Sequence, residues 1–579
     1  MKRFTNFNII LIFAVCTLIV GSPGFCAEQN YTFQKNVMIP MRDEINLAAN
    51  IFTPKGDGEK FPVILMRSPY GKSDEKNGGG IKYSSNGYVY VIQDCRGKGD
   101  SEGVWEPFKY DQEDGFDTQE WIGRQSWCNG TIATTGGSYV GWTQWASAPN
   151  ASKYLKAMTP GVPFTNAYNI MYTGGAYQLA LSNGWGVGVS GKPIDLSKVE
   201  WDKAWKKLPL STWEEQFGHE IFYIRDWVKH NTYDDYWKKH GIDDQYRDVT
   251  VPILNIGGWY DIFSRDTLEQ VTRVRHESKN PYIRRNQFCI IGPWKHGVDQ
   301  TKCGELEFGA NAKIGVNDFG FKWNEYWLKG KNTGVEDWPS YYLFVMGANQ
   351  WRGEHEWPLA RTEFTKVYLH SDGNANTLNG DGSLTKDAPQ SEKADKYIYD
   401  PDNPVPSLGG NNLFGIPSGP YDQQKIEKRE DILVYTTNKL DESVEVTGPV
   451  KLVLYASSDA KDTDFTGKLI DVHPDGKAYN LCEGIIRARF RNSNTDLELI
   501  EPGKIYKYEI DMWVTSNMFK AGHKIRLEVS SSNFPRFDRN PNSGKTFATD
   551  TETFKAHQVI SHSKDYPSHL VLPIIPMND

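Results

Sequence analysis

The sequence has few cysteines and no excess of basic residues. Its 7 cysteines among 579 residues are too few for a small scaffold held together by disulfides. The 65 lysines and arginines against 73 aspartates and glutamates give a net charge of -8, and no basic stripe of the kind found in nucleic-acid-binding proteins is visible. We therefore expect a protein that has no nucleic-acid partner.

Long apolar runs are absent after the amino-terminal segment. No later stretch approaches the roughly 18 consecutive apolar residues that a membrane-spanning helix needs. Residues 1–27 begin with basic residues, continue through an apolar run over 9–20 and end in small or turn-forming residues, which is typical of a secretory signal peptide. We expect cleavage near Cys26 or Ala27, and a periplasmic or extracellular protein that does not contact the membrane after cleavage. A lipoprotein lipidated at Cys26 is the alternative, although the preceding residues lack the usual small-residue ending.

Common metal and nucleotide motifs are missing as well. No Cys-x-x-Cys pair, no His-Glu-x-x-His segment and no P-loop pattern occurs, so we expect neither a cofactor nor a catalytic metal. The cysteines that follow the predicted signal peptide are Cys95, Cys128, Cys289, Cys303 and Cys482. An odd number cannot pair completely. We expect buried unpaired thiols for most of them, although an oxidising compartment permits one or two disulfides.

Short apolar runs between residues 61 and 296 each end in a polar turn that contains glycine. Continuous apolar runs are typical of strands that are buried on both faces, and therefore of a parallel sheet covered by helices. Ligands of such sheets bind at the carboxyl ends of the strands, which is where these polar turns lie. The pattern predicts an α/β domain. The runs cover residues 63–66, 88–92, 131–135, 253–256 and 288–291.

Two other regions show different patterns. Residues 165–248 have helical periodicity, with a capping box predicted at Ser211 to Glu214, and we interpret them as a helical cap. Beyond Trp338, apolar and polar residues alternate with period two, which predicts an antiparallel β-domain of the sandwich or jelly-roll type. The polar stretch over residues 371–395 is predicted to be a long surface loop.

These patterns predict an order of parts along the chain. The length agrees with the rough prior of about 150 residues per domain. The parts are a signal peptide over 1–27, the first part of the α/β domain over 28–164, the cap over 165–248, the second part of the α/β domain over 249–337, and a jelly-roll β-domain over 338–579.

Ser138 stands in a sequence context typical of a nucleophile. Gly136 and Gly137 precede it and Gly141 follows it, between an apolar run and a predicted helix. Small residues at such positions allow the tight turn that presents the Ser hydroxyl of α/β hydrolases. Val140 stands where the common pattern has glycine.

Candidate partners of Ser138 follow in a characteristic order. A nucleophilic Ser needs a base and a carboxylate, and α/β hydrolases place the three in the chain order Ser, Asp, His. Asp261 follows the fourth apolar run and His296 follows the fifth, so we predict that both act with Ser138. Asp266 and Asp299 are the competing acids.

The oxyanion of a tetrahedral intermediate needs hydrogen-bond donors. The backbone N–H of Tyr139, directly after the predicted nucleophile, is one predicted donor. The hydroxyl of Tyr70, in the polar turn after the first apolar run, is the other.

Segments distributed over the sequence together resemble one known family. They cover residues 67–71, 94–103, 137–139, 258–261, 292–297, 448–450, 462–465 and 532–536. The resemblance is to the cocaine-esterase-like branch of the X-Pro dipeptidyl-peptidase family of α/β-hydrolases, some of whose members are glutaryl-cephalosporin acylases or amino-acid ester hydrolases. It implies an α/β-hydrolase domain, a helical cap and a jelly-roll domain, with the same triad and oxyanion hole.

A departure from that family predicts the substrate preference. Amino-acid ester hydrolases of the family carry two carboxylates just after the triad Asp to bind the substrate ammonium, whereas here Ile262 and Phe263 follow it. Asp195 and Glu200 of the cap are acids that could serve instead. We expect a neutral acyl pocket to which aromatic residues of the cap contribute. Those residues are Trp185, Trp201, Trp205 and Trp213.

Three functions are compatible with these residues. The leading prediction is an exported serine hydrolase that cleaves small-molecule acyl esters or amides through an acyl-enzyme. The second is an exopeptidase that releases X-Pro dipeptides with the same triad. The third is a carbohydrate- or surface-binding protein with an inactive hydrolase domain.

Overall fold

The structure is a computed structural model that describes residues 30–56 and 58–576. The predicted signal peptide over residues 1–27 lies outside these ranges and stays a prediction. Within the same ranges, no helix is both long enough and apolar enough to cross a membrane.

The first part of the chain alternates strands and helices. The strands coincide with the predicted apolar runs, and the third apolar run extends directly into the turn that contains Ser138. The elements are β1 (Tyr31–Pro40), β2 (Asn46–Pro54), β3 (Phe61–Ser68), α1 (Gly78–Ser84), β4 (Val89–Asp94), α2 (Asp111–Gly123), β5 (Cys128–Gly137), α3 (Tyr139–Ser147) and β6 (Leu155–Gly161). Every residue of β4 is buried, as a strand covered on both faces requires.

Short helices dominate the segment interpreted as a cap. They carry many aromatic residues that pack on one another rather than on the sheet. The elements are α4 (Ala167–Met171), β7 (Tyr172–Thr173), β8 (Ala176–Tyr177), α5 (Leu179–Gly188), α6 (Trp201–Ala204), α7 (Phe222–Lys229) and α8 (Asp235–Lys238).

The capping box predicted at Ser211 is not formed. A 3-10 helix covers Leu210–Phe217 instead, and Thr212 within it has non-helical torsion angles. The backbone N–H of Ser211 donates to the carbonyl oxygen of Ala548 at 2.9 Å, so a contact with a distant segment replaces the local cap. Gly218, with a φ of 72°, ends the 3-10 helix before α7 begins.

After residue 248 the chain returns to the first sheet. The elements are β9 (Ile253–Gly258), α9 (Ser264–Glu277), α10 (Pro281–Arg285), β10 (Gln287–Gly292), β11 (Lys302–Cys303), β12 (Leu306–Glu307), α11 (Val316–Lys329), β13 (Tyr341–Val345) and β14 (Gln350–Glu354). The first sheet has the order β1-β2-β4-β3-β5-β6-β9-β10-β13-β14. In this spatial order, all neighbours from β4 through β13 pair in parallel. The outer strands β1, β2 and β14 pair antiparallel with their neighbours.

The first strands after the predicted boundary between residues 337 and 338 pair with the first sheet. Strand β13 pairs in parallel with β10, and β14 closes the edge of the same sheet. The first sheet thus continues through β14, and the second sheet begins with β15.

The C-terminal part is rich in antiparallel sheet. Its elements are β15 (Glu363–His370), β16 (Ser383–Thr385), β17 (Asp395–Tyr399), β18 (Leu433–Thr436), β19 (Val444–Ser458), β20 (Asp464–Val472), β21 (Ala478–Arg487), β22 (Tyr506–Phe519), β23 (Lys524–Ser530), β24 (Ala556–Ser561) and β25 (His569–Ile575). They form one sheet in which nearly all neighbours are antiparallel.

The polar stretch over residues 371–395 is not simply a surface loop. It contains β16, and Ala375 and Leu384 are part of the hydrophobic core. The hydroxyl of Ser371 donates to the Asp395 carboxylate at 2.8 Å, which ties the two ends of the stretch together.

The predicted state of the cysteines is confirmed. Cys95, Cys128, Cys289, Cys303 and Cys482 are all buried and unpaired. They lie in hydrophobic surroundings, as small apolar side chains do.

Candidate active site

Ser138 occupies a strained turn between β5 and α3. Its φ of 62° and ψ of -128° lie in a region that a residue with a side chain rarely adopts, and such strain is typical of a nucleophile elbow. The backbone N–H of Ser138 donates to the carbonyl oxygen of Gly161 at 2.9 Å, which holds the turn against β6. The side chain is thereby presented at the carboxyl end of a central parallel strand.

Two glycines make this turn possible. A Cβ atom on Gly136, whose φ is 123°, would lie 2.2 Å from the Cγ1 atom of Val140. A Cβ atom on Gly141 would lie 2.9 Å from the carbonyl oxygen of Gly161. Gly141 is therefore the residue that packs closely against β6, and it stands one residue later than the glycine of the common pattern. The side chain of Val140 fills the space next to Gly136.

The structure brings Asp261 and His296 together. Asp261 follows β9, His296 follows β10, and the Nδ1 atom of His296 lies 2.6 Å from the Oδ2 atom of Asp261. Asp261 is fully buried, and its other carboxylate oxygen accepts the backbone N–H of Phe263 at 2.9 Å. A carboxylate held in this way fixes the orientation and tautomer of an imidazole.

The two competing acids have other partners. Asp266 lies in α9 beside Arg265, at 3.6 Å between Oδ1 and Nε. The carboxylate of Asp299 accepts the backbone N–H groups of Ile314 and Gly315 at 2.8 and 3.1 Å. Of the three candidates, Asp261 is therefore the acid that contacts His296.

A row of aromatic rings connects His296 with the helix after the elbow. The ring of Phe263 meets His296 edge to face at 5.6 Å, Phe164 lies 4.9 Å from Phe263, and Trp142 of α3 stacks on Phe164 at 5.7 Å. These contacts place His296 on the same side of the sheet as the elbow. They also exclude water from that side of the imidazole.

The hydroxyl of Tyr70, the second predicted oxyanion-hole donor, lies at the elbow. It accepts the indole N–H of Trp185 at 3.2 Å. Burial raises the pKa of Tyr70 to about 12, and hydrogen bonds with the Ser138 side chain and the Tyr139 backbone work against this rise. Although 38% of the Tyr70 surface is exposed, its hydroxyl is in dense surroundings and remains protonated at neutral pH. It can therefore donate a hydrogen bond.

The hydroxyl of Tyr139 forms hydrogen bonds with groups that the sequence analysis did not identify. The hydroxyl donates to the Oδ2 atom of Asp111 at 2.6 Å and accepts the backbone N–H of Phe108 at 2.7 Å. The indole N–H of Trp142 donates to the same Asp111 oxygen at 2.9 Å. Burial raises the pKa of Asp111, and the charge of Arg67 opposes this rise. The first turn of α3, which carries the backbone N–H of Tyr139, is thus fixed by a buried network.

Of the four tryptophans that were predicted to line the acyl pocket, Trp185 contacts this site. The ring of Trp185 stacks on Tyr139 at 5.5 Å in addition to its hydrogen bond with Tyr70. Trp201, Trp205 and Trp213 instead stack on one another, with centroids 4.5 and 5.5 Å apart.

The acids proposed as ammonium anchors are engaged elsewhere. The side chain of Asp195 is half exposed and pairs with Lys198 at 2.9 Å. Glu200 is mostly exposed and pairs with Lys203. Directly after Asp261, Ile262 and Phe263 are both buried, so apolar atoms occupy the place of the carboxylate pair.

A Ser at a strand-to-helix elbow and a His–Asp pair after two later strands of one parallel sheet define an α/β-type serine hydrolase. Residues 43–298 match the family model of the X-Pro dipeptidyl-peptidase (S15 family), and residues 333–571 match that of the X-Pro dipeptidyl-peptidase C-terminal non-catalytic domain. The chain is 37% identical to the cocaine esterase of Rhodococcus sp. (strain MB1 Bresler), over 95% of this chain and 99% of that protein.

Two solved structures have the same fold over nearly the whole chain. An aminopeptidase from a marine sediment archaeon, Thaumarchaeota archaeon, is 25% identical with a TM-score of 0.83, covering 97% of this chain and 100% of its own. An alpha-amino acid ester hydrolase is 23% identical with a TM-score of 0.80, covering 97% and 99%. The chain therefore belongs to the X-Pro dipeptidyl-peptidase family, in the branch that contains cocaine esterase, and it is a serine hydrolase. The hypothesis of a non-catalytic binding protein is not retained.

Proposed function

We propose that the chain hydrolyses esters of neutral acyl groups through a triad of Ser138, His296 and Asp261. The Ser138 hydroxyl oxygen attacks the ester carbonyl carbon while its proton passes to the Nε2 atom of His296. Asp261 accepts the Nδ1–H group of His296 and stabilises the imidazolium that forms. The 2.6 Å contact between these two side chains is the observation that carries this assignment.

The oxyanion of the tetrahedral intermediate accepts hydrogen bonds from the Tyr70 hydroxyl and from the backbone N–H of Tyr139. When this intermediate collapses, the alkoxide leaves with the proton from His296, and the acyl group stays on Ser138. A water molecule then attacks the acyl-enzyme, with His296 as the base, and releases the carboxylic acid. Hydrogen bonds of the Tyr70 hydroxyl with the Ser138 side chain and the Tyr139 backbone support its role, because they place the hydroxyl beside the proposed nucleophile.

The acyl pocket is proposed to select neutral groups. Buried apolar residues follow Asp261, and the rings of Trp185, Phe263 and Phe164 lie around the proposed catalytic groups. An ammonium group buried without a partner costs several kcal/mol, so substrates with a free amino terminus are rejected. We further propose that the antiparallel C-terminal part is a jelly roll.

A matched pair of esters tests this function. The p-nitrophenyl esters of butyric acid and of 2-aminobutyric acid differ by the α-ammonium group, and Gly-Pro-p-nitroanilide represents the X-Pro peptides. We expect kcat/KM to be highest for the butyrate, by about 100-fold or more over the aminobutyrate. A preference for the dipeptide anilide would show that an acid anchors the ammonium, and the exopeptidase hypothesis would replace this one.

Labelling identifies the nucleophile independently. A fluorophosphonate probe reacts quickly only with an activated Ser, so we expect one labelled peptide, the one that contains Ser138. Labelling of another Ser, with Ser138 unmodified, would overturn the assignment.

A further inference from the structure

Three metal-binding side chains meet at one end of the β-domain. Asp471 lies near the end of β20, His473 lies in the turn that follows, and His523 lies in the turn between β22 and β23. One possible ligand atom of each lies within 4.8 Å of those of the other two. We call these three residues the Asp-His-His cluster.

The distances within the cluster approach those of a metal site. The Asp471 carboxylate lies 2.8 Å from the Nδ1 atom of His523 and 3.8 Å from the Nε2 atom of His473. Ligand atoms about 2.1 Å from a tetrahedral ion are roughly 3.4 Å apart, so small side-chain rotations would accommodate one. The two imidazole rings lie 4.5 Å apart, between centroids.

The surroundings hold the ligands and leave one side open. The side chains of Asp471 and His523 are largely buried, with 6% and 11% exposed, whereas 29% of the His473 side chain is exposed and gives an ion access. The side-chain amide of Asn517 donates to the Asp471 carboxylate at 3.3 Å. Supporting hydrogen bonds of this kind orient metal ligands.

The backbones of both turns are also fixed. In the first turn, the N–H of His473 donates to the carbonyl oxygen of Lys477 at 2.8 Å. In the second turn, the backbone N–H of His523 donates to the carbonyl oxygen of Lys520 at 3.0 Å. The carbonyl oxygen of His523 accepts the backbone N–H of Leu440 at 2.9 Å. An ion bound between the turns would therefore meet ligands on two rigid supports.

A pair of one His and one acid alone would not indicate a metal site. The imidazole of His557 contacts the Asp459 carboxylate at 2.7 Å on the protein surface, and exposed contacts of this kind are common. The second imidazole distinguishes the Asp-His-His cluster. Sequence spacing could not reveal it, since the three ligands come together only when β20 and β23 pair, with Asp471 opposite Ile525.

We propose that the Asp-His-His cluster binds a divalent transition-metal ion, with Zn²⁺ as the preferred ion. Two imidazole nitrogens and one carboxylate oxygen suit Zn²⁺, and water completes a tetrahedral site. The ion would cross-link the turn after β20 to the turn before β23. Its role is stabilisation of the β-domain, and it is independent of the triad.

Zn²⁺ binding by the full-length protein tests this site. After treatment with a chelator, the affinity for Zn²⁺ is measured by competition with a chromophoric chelator, and Co²⁺ is added separately to record the visible absorption of a tetrahedral complex. We expect one Zn²⁺ per chain, visible Co²⁺ bands, and a rise in Tm on addition of Zn²⁺. Absence of stoichiometric binding or of the Co²⁺ bands in the wild-type protein would overturn the proposal.

Two His variants assign the ion to the cluster. His473→Gln should weaken Zn²⁺ binding by about 100-fold or more. Removal of a residue that only supports a ligand through a hydrogen bond typically weakens metal binding by about 10- to 100-fold, so a larger loss indicates that His473 is itself a ligand. The variant should abolish the rise in Tm while leaving ester hydrolysis intact. His557→Gln is the matched control and should bind as the wild type does. If His473→Gln binds Zn²⁺ like the wild type, the ion is held elsewhere; His523→Gln repeats the test at the second imidazole.

Discussion

The side-chain amide of Asn411 donates a hydrogen bond of 2.9 Å to the backbone carbonyl oxygen of Asp261. The same amide donates to the carbonyl oxygen of Trp259 at 2.7 Å. Asn411 is fully buried and belongs to the segment between β17 and β18. The loop that presents the Asp261 carboxylate to His296 is thus held by a residue of the C-terminal part.

Asn411→Ala should therefore impair the triad from a distance. Two buried carbonyl oxygens lose their donor, which costs about 1–3 kcal/mol of stability. A displaced Asp261 loop misaligns His296, so we expect kcat to fall by about 10- to 100-fold with little change in KM. The measurement is steady-state hydrolysis of p-nitrophenyl butyrate.

Asn412→Ala is the control for this prediction. Asn412 is also buried, and its side-chain amide donates to the carbonyl oxygen of Gly409 in its own segment. It should lower stability and leave kcat near the wild-type value. Equal loss of kcat in both variants would mean that Asn411 acts only through stability.

Two replacements of Ser138 should distinguish its role in catalysis from the cost of its strained backbone conformation. Ser138→Ala is expected to lower ester turnover by about 10⁴- to 10⁶-fold, because the triad acts as a unit. Ser138→Gly should be as inactive but more stable than Ser138→Ala by about 1 kcal/mol, since glycine adopts a φ of 62° without the cost of a Cβ atom. Turnover and urea denaturation of both variants test this, and substantial turnover by folded Ser138→Ala would refute the nucleophile.

Tyr70→Phe should affect the transition state rather than substrate binding. Loss of one oxyanion donor costs about 10²- to 10³-fold in kcat, with KM little changed. Phe retains the ring, so the contact surface of the site is preserved. A rise in KM at constant kcat would instead identify Tyr70 as a substrate-binding residue.

Asp266 should make stability depend on pH. Burial raises its pKa to about 7, and the charge of Arg265 partly opposes this rise. A carboxyl whose pKa is higher in the folded than in the unfolded protein stabilises the fold when protonated. This contribution is complete below about pH 4 and is lost as the pH rises towards 7.

Asp266→Asn should therefore remove the loss of stability that the wild type shows between about pH 4 and pH 7. We expect the variant to be more stable than the wild type above pH 7, by a few kcal/mol at most, and to lose this advantage at about pH 4. Urea denaturation at several pH values measures the difference. Asp299→Ala is the comparison, since the Oδ1 atom of Asp299 accepts two backbone N–H groups and loss of this acceptor should destabilise the fold. The same pH dependence in Asp266→Asn and wild type would contradict the prediction.

Local patterns were sufficient to locate the elements that carry the candidate site. The apolar runs before Ser138, Asp261 and His296 are strands of one sheet, because burial on both faces leaves a continuous apolar signal. The contacts support the predicted choice of Asp261 over Asp266, since both follow the same strand and only Asp261 contacts His296.

Long-range contacts account for what sequence analysis could not predict. Asp111 and Asn411 support the site from distant segments and carry no local motif. The capping box at Ser211 fails because its backbone N–H bonds to Ala548. Such contacts depend on the assembled fold, which local propensity does not encode.

The hairpin formed by β7 and β8 has contacts with the C-terminal part that matter for engineering. The backbone of Tyr177 exchanges hydrogen bonds of 2.7 and 2.8 Å with Asp538, and Arg487 donates its backbone N–H to Gly174 at 2.8 Å. A Cβ atom on Gly174 would lie 2.1 Å from the carbonyl oxygen of Ile485. A chimera that takes its cap from another family member must therefore also take β21 and the loop that contains Asp538 from that protein. Useful crossover points lie outside β21 and this loop rather than at the ends of the cap.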